Sequence, residues 1–118
     1  MRYLTNAFSV QMLLNLLRYD KDTIVQFRLL EYEEVKEMLL TKEFVNAIGH
    51  QGTVDFLNKL FGLSLTVERK RITVNHGDTL LIVMPVADRL PPGTELNGDK
   101  MMELYEQGLV KFVLVAIS

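Results

Sequence analysis

The 118-residue chain has no cysteine and no tryptophan. Without thiols it can form no disulfide, zinc–thiolate centre, iron–sulfur cluster or cysteine nucleophile. Long apolar runs are missing too. The longest are of the size of LLIVMPVA at 80–87, far short of the roughly 20 residues that a membrane-spanning helix needs. Met1-Arg2-Tyr3-Leu4 has no long apolar core behind it, so no signal peptide is expected and a cytoplasmic location is. There is no excess of positive charge: 13 Lys and Arg face 15 Asp and Glu, for a net charge of −2. A general nucleic-acid coat is disfavoured, no long nucleic acid is expected as a partner, and any anionic ligand must be held by locally placed donors. The phosphate-binding loop, the nucleophile elbow, the dinucleotide fingerprint and the H-E-x-x-H zinc helix are all absent. A two-metal nuclease needs clustered carboxylates. The acids here (Glu33, Glu34, Glu37, Asp55, Glu103, Glu106) fall mostly on the solvated faces of predicted helices, so neither a metal nor a cofactor is expected.

What is present describes a folded domain. Hydrophobic residues make up 48% of the chain and charged residues 24%, a globular balance, and the length suits one domain spanning 1–118. RYLTNAF (2–8) reads as a first strand. SVQMLLNLLRY (9–19) is apolar on most faces, with Ser9 as a candidate N-cap. TIVQFRLL (23–30) is a strand and EYEEVKEMLL (31–40) a helix, its Glu-rich start suiting the positive end of the helix dipole. EFVNAI (43–48) is a strand and GTVDFLNKLFG (52–62) a helix with Val54, Leu57 and Phe61 in one stripe and Gly62 at C′. KRITV (70–74) and TLLIVMPV (79–86) are predicted strands joined by the Asn75-His76-Gly77-Asp78 turn, a hairpin signal. DRLPPGTEL (88–96) is a loop, DKMMELYEQG (99–108) a short helix and VKFVLVAI (110–117) a final strand. Interleaved strands and helices predict an α/β or α+β fold, a mixed sheet of about five strands flanked by helices. Strands as apolar as TLLIVMPV and VKFVLVAI must be covered on both faces, by helices or by a second copy of the chain.

Gly49-His50-Gln51-Gly52-Thr53 is the sharpest candidate site, in a chain with only two histidines. It lies where a predicted strand hands over to a helix. Open α/β sheets bind ligands at that end of their strands, and a helix N-terminus attracts anions such as phosphate. Two readings stand for His50: a proton-transferring residue, or a helix cap in a polar turn. Asn6 and Ser9, in TNAFS, end the first strand and begin the next element, at the same predicted sheet edge; ordinary capping is the plainer reading. Arg69-Lys70-Arg71 is a basic run on a predicted strand, with 69 and 71 on one face. Arg89 opens the proline loop, where a guanidinium fork suits a phosphate. His76 reads as a surface turn residue.

Taken together, NAFS (Asn6–Ser9), AIGH-x-x-T (Ala47–Thr53), R-x-x-V (Arg71–Val74) and RL-x-x-G (Arg89–Gly93), followed by a C-terminal apolar strand, resemble the viral ring-nuclease family over essentially the whole chain. These are small anti-CRISPR proteins of archaeal viruses, with relatives in phages and bacteria. The resemblance implies a homodimer whose pocket holds cyclic tetra-adenylate, the second messenger of type III CRISPR systems, and cuts it without metal. It implies that His50 is the catalytic histidine, that Asn6, Ser9, Thr53, Arg71 and Arg89 contact the ligand, and that 89–93 is a mobile lid. Gly52 falls at a further ligand position where some relatives carry a small hydroxyl residue. Pro91 and Pro92 stand where some carry acidic residues, and Pro85 where some carry a polar ligand contact. The implied chemistry is attack of a ribose 2′-hydroxyl on the adjacent phosphorus, giving a 2′,3′-cyclic phosphate and linear di-adenylates. Two alternatives go with it: a non-catalytic sponge for cyclic oligoadenylate, and a small viral regulatory or nucleic-acid-binding dimer.

Overall fold

The computed structural model describes residues 1–19, 22–86 and 90–118. The described elements are β1 (Arg2–Thr5), a 3-10 turn (Val10–Leu13) running into α1 (Leu14–Tyr19), β2 (Val25–Leu30), α2 (Tyr32–Thr41), β3 (Val45–Asn46), α3 (Gln51–Phe61), β4 (Thr79–Pro85), α4 (Gly98–Glu106) and β5 (Val110–Ile117). The strands form one mixed sheet in the order β2-β5-β4-β1-β3. β4 and β3 run parallel to the central β1, and β5 runs antiparallel to both β4 and β2. The chain is thus the α+β domain that the interleaved pattern predicts.

Alternation along the strands builds two cores. Leu4, Leu81, Val83, Phe112 and Leu30 face α2, α3 and α4, where they meet Val35, Phe56, Leu57, Phe61, Met101 and Leu104. Leu80, Ile82, Val115 and Ile117 face the other way, toward Leu13, Leu16, Ile72 and Val74. Phe56 and Leu57 are fully buried; side chains of that size each contribute about 1.5–3 kcal/mol on leaving water. α2 opens with a reciprocal cap: the Glu31 side chain accepts the Glu34 N–H, and the Glu34 carboxylate accepts the Glu31 N–H at 3.1 Å. α3 ends where Gly62 takes φ +68°, a left-handed conformation that favours glycine.

One expectation is overturned. Residues 70–74 join no ladder, so the predicted hairpin with β4 does not form. The Asn75–Asp78 turn is real: Asp78 N–H donates to the Asn75 carbonyl at 3.1 Å, and Asn75 N–H to Asp78 Oδ2 at 2.9 Å. A strand has only two edges, however, and β4 gives both to β1 and β5. The 70–74 segment instead crosses the sheet face, donating from Val74 N–H to the Met12 carbonyl at 3.1 Å. The predicted strands 2–8 and 43–48 also contract, to residues 2–5 and 45–46.

The far sheet face is only partly covered. Leu13 and Leu16 close its centre, while Phe27 and Leu29 on the edge strand β2 remain 61% and 67% exposed, and Met84 39%. Among the described residues no helix is long and apolar enough to cross a membrane.

Candidate functional site

β1 and β3 are parallel neighbours, so their C-terminal ends deliver Asn6 and the Ala47–His50 turn to one place. The two turns are tied together: Gly49 N–H donates to Asn6 Oδ1 at 3.2 Å, and Ala47 N–H to the Leu4 carbonyl at 2.8 Å. The chain then turns directly into α3 with His50 as its N-cap.

The cap defines the state of the imidazole. Thr53 N–H lies 3.2 Å from His50 Nδ1, and Thr53 Oγ1 lies 2.8 Å from the same nitrogen. A backbone N–H can only donate, so Nδ1 accepts. The ring hydrogen of the neutral imidazole therefore sits on Nε2, which has no hydrogen-bond partner among the described residues. The Thr53 hydroxyl can serve either protonation state, donating to Nδ1 of the neutral ring or accepting from Nδ1–H of the imidazolium. Both sequence readings of His50 are compatible in one residue: the cap fixes the ring through Nδ1 and leaves Nε2 available.

His50 lines a cavity of about 380 Å³ together with Gln51, Asp55, Arg69, Glu95 and Leu96. The Arg69 guanidinium is anchored by Nε–H donating to the Gly49 carbonyl at 3.3 Å. Asp55 accepts from Gln51 Nε2 at 2.8 Å. The backbone N–H groups of Gln51 and Gly52, at the head of α3, have no partner among the described residues. They add a fixed positive potential on that wall.

Gly52 is a packing requirement. A Cβ there would stand 1.8 Å from the Leu96 carbonyl oxygen and 2.9 Å from His50 Cε1. At Gly98 a Cβ would meet that of Asp55 at 2.7 Å. Two glycines thus let the 95–98 segment close on the first turn of α3. Upstream, Pro91, Pro92, Gly93 and Thr94 form a tight turn: the Thr94 N–H and hydroxyl both donate to the Pro91 carbonyl, at 3.0 and 2.6 Å, with Gly93 at φ +81°. That is the proline-then-glycine arrangement of a type II turn.

The predicted site residues divide into groups. Asn6, His50, Gly52 and Thr53 come together. Thr53 is 2% exposed and acts on the cavity through the ring it holds, and Gly52 lies buried under Leu96. Ser9 and Arg71 meet in a second groove, of about 230 Å³, with Lys70. Ser9 occupies the predicted cap position before the 3-10 turn, but its side chain makes no capping hydrogen bond. Arg89 lies outside the described residues. His76 is exposed in its turn, with Nδ1 2.6 Å from the Ser118 carbonyl. The sequence reading missed Arg69 as a site residue and missed the two cavity carboxylates, Asp55 and Glu95. The sequence reading put Arg69 and Arg71 on one face of a strand; residues 70–74 join no strand, and the two arginines line different grooves. Among the described residues no three His, Cys, Asp or Glu side chains gather as a metal site.

A family model described as STIV B116-like matches residues 2–111. The chain belongs to that family. The STIV B116-like chain is 30% identical over 109 residues to the uncharacterized protein ORF116 of Acidianus filamentous virus 1 (isolate United States/Yellowstone), covering 92% of this chain and 89% of that one. It is 31% identical over 91 residues to the uncharacterized protein 26 of Sulfolobus islandicus filamentous virus (isolate Iceland/Hveragerdi), covering 77% and 74%. Among solved structures it resembles B116 of Sulfolobus turreted icosahedral virus, with a TM-score of 0.71, 32% identity, and coverage of 98% and 97% of the two chains. The STIV B116-like fold is therefore a viral one, shared by proteins of several archaeal viruses.

Proposed function

We propose that this B116-like protein is a metal-independent ring nuclease that opens cyclic tetra-adenylate and thereby antagonises type III CRISPR immunity. The observation that carries the reading is the His50 turn. A histidine is locked by Thr53 at the head of α3, tied through Gly49 to Asn6, and faces a cavity with Arg69. The nucleophile in this chemistry is the substrate's own 2′-hydroxyl, so the protein needs no nucleophile of its own. Its task is to hold the 2′-oxygen, phosphorus and 5′-oxygen in line. His50, as imidazolium, donates from Nε2 to the leaving 5′-oxygen, a role typically contributing about 10²–10⁴-fold. Arg69 and the free N–H groups of α3 stabilise the charge of the phosphorane.

The cavity is at the small end of ligand pockets, which run from about 300 to 1,000 Å³, so a ring of four nucleotides must extend beyond it. A homodimer provides the rest, offering two His50 sites to a near-symmetric ring. The exposed Phe27, Leu29 and Met84 on the open sheet face support pairing with a second copy. A sponge that holds the messenger without cutting it is the second reading, favoured by the stiff Pro91-Pro92 turn and the covered Gly52.

The deciding experiment incubates the protein with cyclic tetra-adenylate in excess EDTA, beside His50→Ala, and separates the products. Cleavage by the wild type that His50→Ala loses, with binding retained, supports the nuclease. Binding without cleavage in either protein leaves the sponge, and no binding overturns both.

A further inference from the structure

We propose that Glu95 is the general base of the reaction, the group that takes the 2′-hydroxyl proton; this rests on the ring-nuclease reading above. The argument starts from the histidine. Cleavage by a 2′-hydroxyl moves two protons: one leaves O2′ as the O2′–P bond forms, and one reaches O5′ as the P–O5′ bond breaks. Thr53 N–H, donating to Nδ1, fixes the neutral ring with its hydrogen on Nε2. In the imidazolium that acts as the acid, Nδ1–H turns to Thr53 Oγ1 and Nε2 again carries a hydrogen, so in both forms the ring presents a hydrogen to the cavity and no lone pair. It suits the O5′ side and cannot accept the proton from O2′, so a second group is required.

The charged groups facing the cavity are His50, Asp55, Arg69 and Glu95. Arg69 is a cation and cannot act as a base. The Asp55 carboxylate is engaged by Gln51 Nε2 at 2.8 Å, and its Cβ lies against Gly98 at the start of α4. Glu95 is exposed and has no hydrogen-bond or ion-pair partner among the described residues. Its backbone is nonetheless held. The next residue, Leu96, rests its carbonyl on Gly52, and Asn97 caps α4 by accepting the Lys100 N–H at 2.8 Å. A free carboxylate on a fixed backbone at the mouth of the His50 cavity is what a proton acceptor from a bound ribose needs. Pro91 and Pro92 leave the preceding turn without a carboxylate, and Glu95 supplies one from just beyond it.

The step balances. O2′–H gives its proton to the Glu95 carboxylate, O2′ bonds to phosphorus, the P–O5′ bond breaks, and the His50 imidazolium gives its Nε2 proton to O5′, leaving a neutral ring whose remaining hydrogen, on Nδ1, faces Thr53 Oγ1. The products are a 2′,3′-cyclic phosphate and a 5′-hydroxyl. Solvent then takes the proton from Glu95 and returns one to His50.

Single-turnover cleavage by wild type, Glu95→Gln, Glu95→Asp and His50→Ala tests this on cyclic tetra-adenylate and on its analogue with 5′-bridging sulfur. Sulfur leaves without protonation. We expect Glu95→Gln to slow the natural ring by about 10²-fold or more while its affinity stays within about threefold of wild type. Glu95→Asp retains part of the rate. The sulfur analogue restores His50→Ala and leaves Glu95→Gln slow. A Glu95→Gln rate within about threefold of wild type, or its rescue by sulfur, overturns the assignment while the nuclease reading stands. A wild type that binds but cuts neither ring overturns both.

Discussion

Replacing Gly52 with alanine tests the closure of the 95–98 segment on α3. The added methyl would stand 1.8 Å from the Leu96 carbonyl oxygen, 2.9 Å from the Leu96 carbonyl carbon and 2.9 Å from His50 Cε1. Two of these three atoms are backbone, so no rotamer change relieves the clash. Overpacking of this kind costs about 1–3 kcal/mol, and the contact with backbone puts Gly52 at the upper end. Alanine recovers up to about 1 kcal/mol of helix propensity. The net loss is about 2 kcal/mol, or roughly 8 °C in Tm for a domain of this size. Thermal unfolding followed by circular dichroism reads it directly. The ring of His50 must also swing away, so the two hydrogen bonds to Thr53 weaken and the imidazole nitrogen shifts in NMR move with them. A Gly52→Ala protein that melts at or above the wild-type temperature refutes the seating of Leu96 on the first turn of α3.

Three further expectations follow from single features. Thr53→Val keeps the backbone N–H on His50 Nδ1 but removes the hydroxyl at 2.8 Å. The cost is about 1 kcal/mol, and nitrogen-15 shifts should still report hydrogen on Nε2. Burial, followed by the neighbouring Tyr32 and Glu31, raises the Tyr105 phenol above its ordinary value of 10.0. Above pH 10 the unfolded chain then releases this proton while the folded one keeps it, so stability falls as pH rises. Tyr105→Phe should flatten that decline in denaturant midpoints measured from pH 8 to 11. Phe27→Glu charges an exposed residue of the open sheet face; in sedimentation analysis it should convert the proposed dimer into folded monomers, and an unchanged dimer would place the interface elsewhere.

The parts of the fold legible in the sequence are those with a local cause. The stripe of Val54, Leu57 and Phe61 gave α3, and all three are buried. The Asn75–Asp78 turn was legible from its residue types. Ile72 and Val74 are also buried, so the alternation in KRITV was real. Alternation reports which side chains leave water, though, and says nothing about what the backbone bonds to. Here it bonds to Met12 rather than to a neighbouring strand. The pairing of β4 with β1 and of β2 with β5 joins segments far apart in the chain, and no spacing rule encodes it. His50 stood out at the sequence level because histidine, glycine and a strand-to-helix change coincide there. Arg69 and Glu95 did not, because their place in the site depends on where two loops cross the head of α3.

The strand order also decides when the site can exist. Tyr3 pairs with Leu80 and Val25 with Ile117, so β1 and β2 have to wait for partners made late in synthesis. Such distant pairings are slow to form because a long loop must close before any contact rewards it. The Asn6–Gly49 bond depends on β1 and β3 lying side by side, and Glu95 joins the wall of the His50 cavity only once the 95–98 segment has closed on α3. An emerging chain therefore carries all the residues of the turn well before it carries the site. The proposed activity should arise in one step with the completed sheet, and nascent or truncated fragments of the chain should lack it.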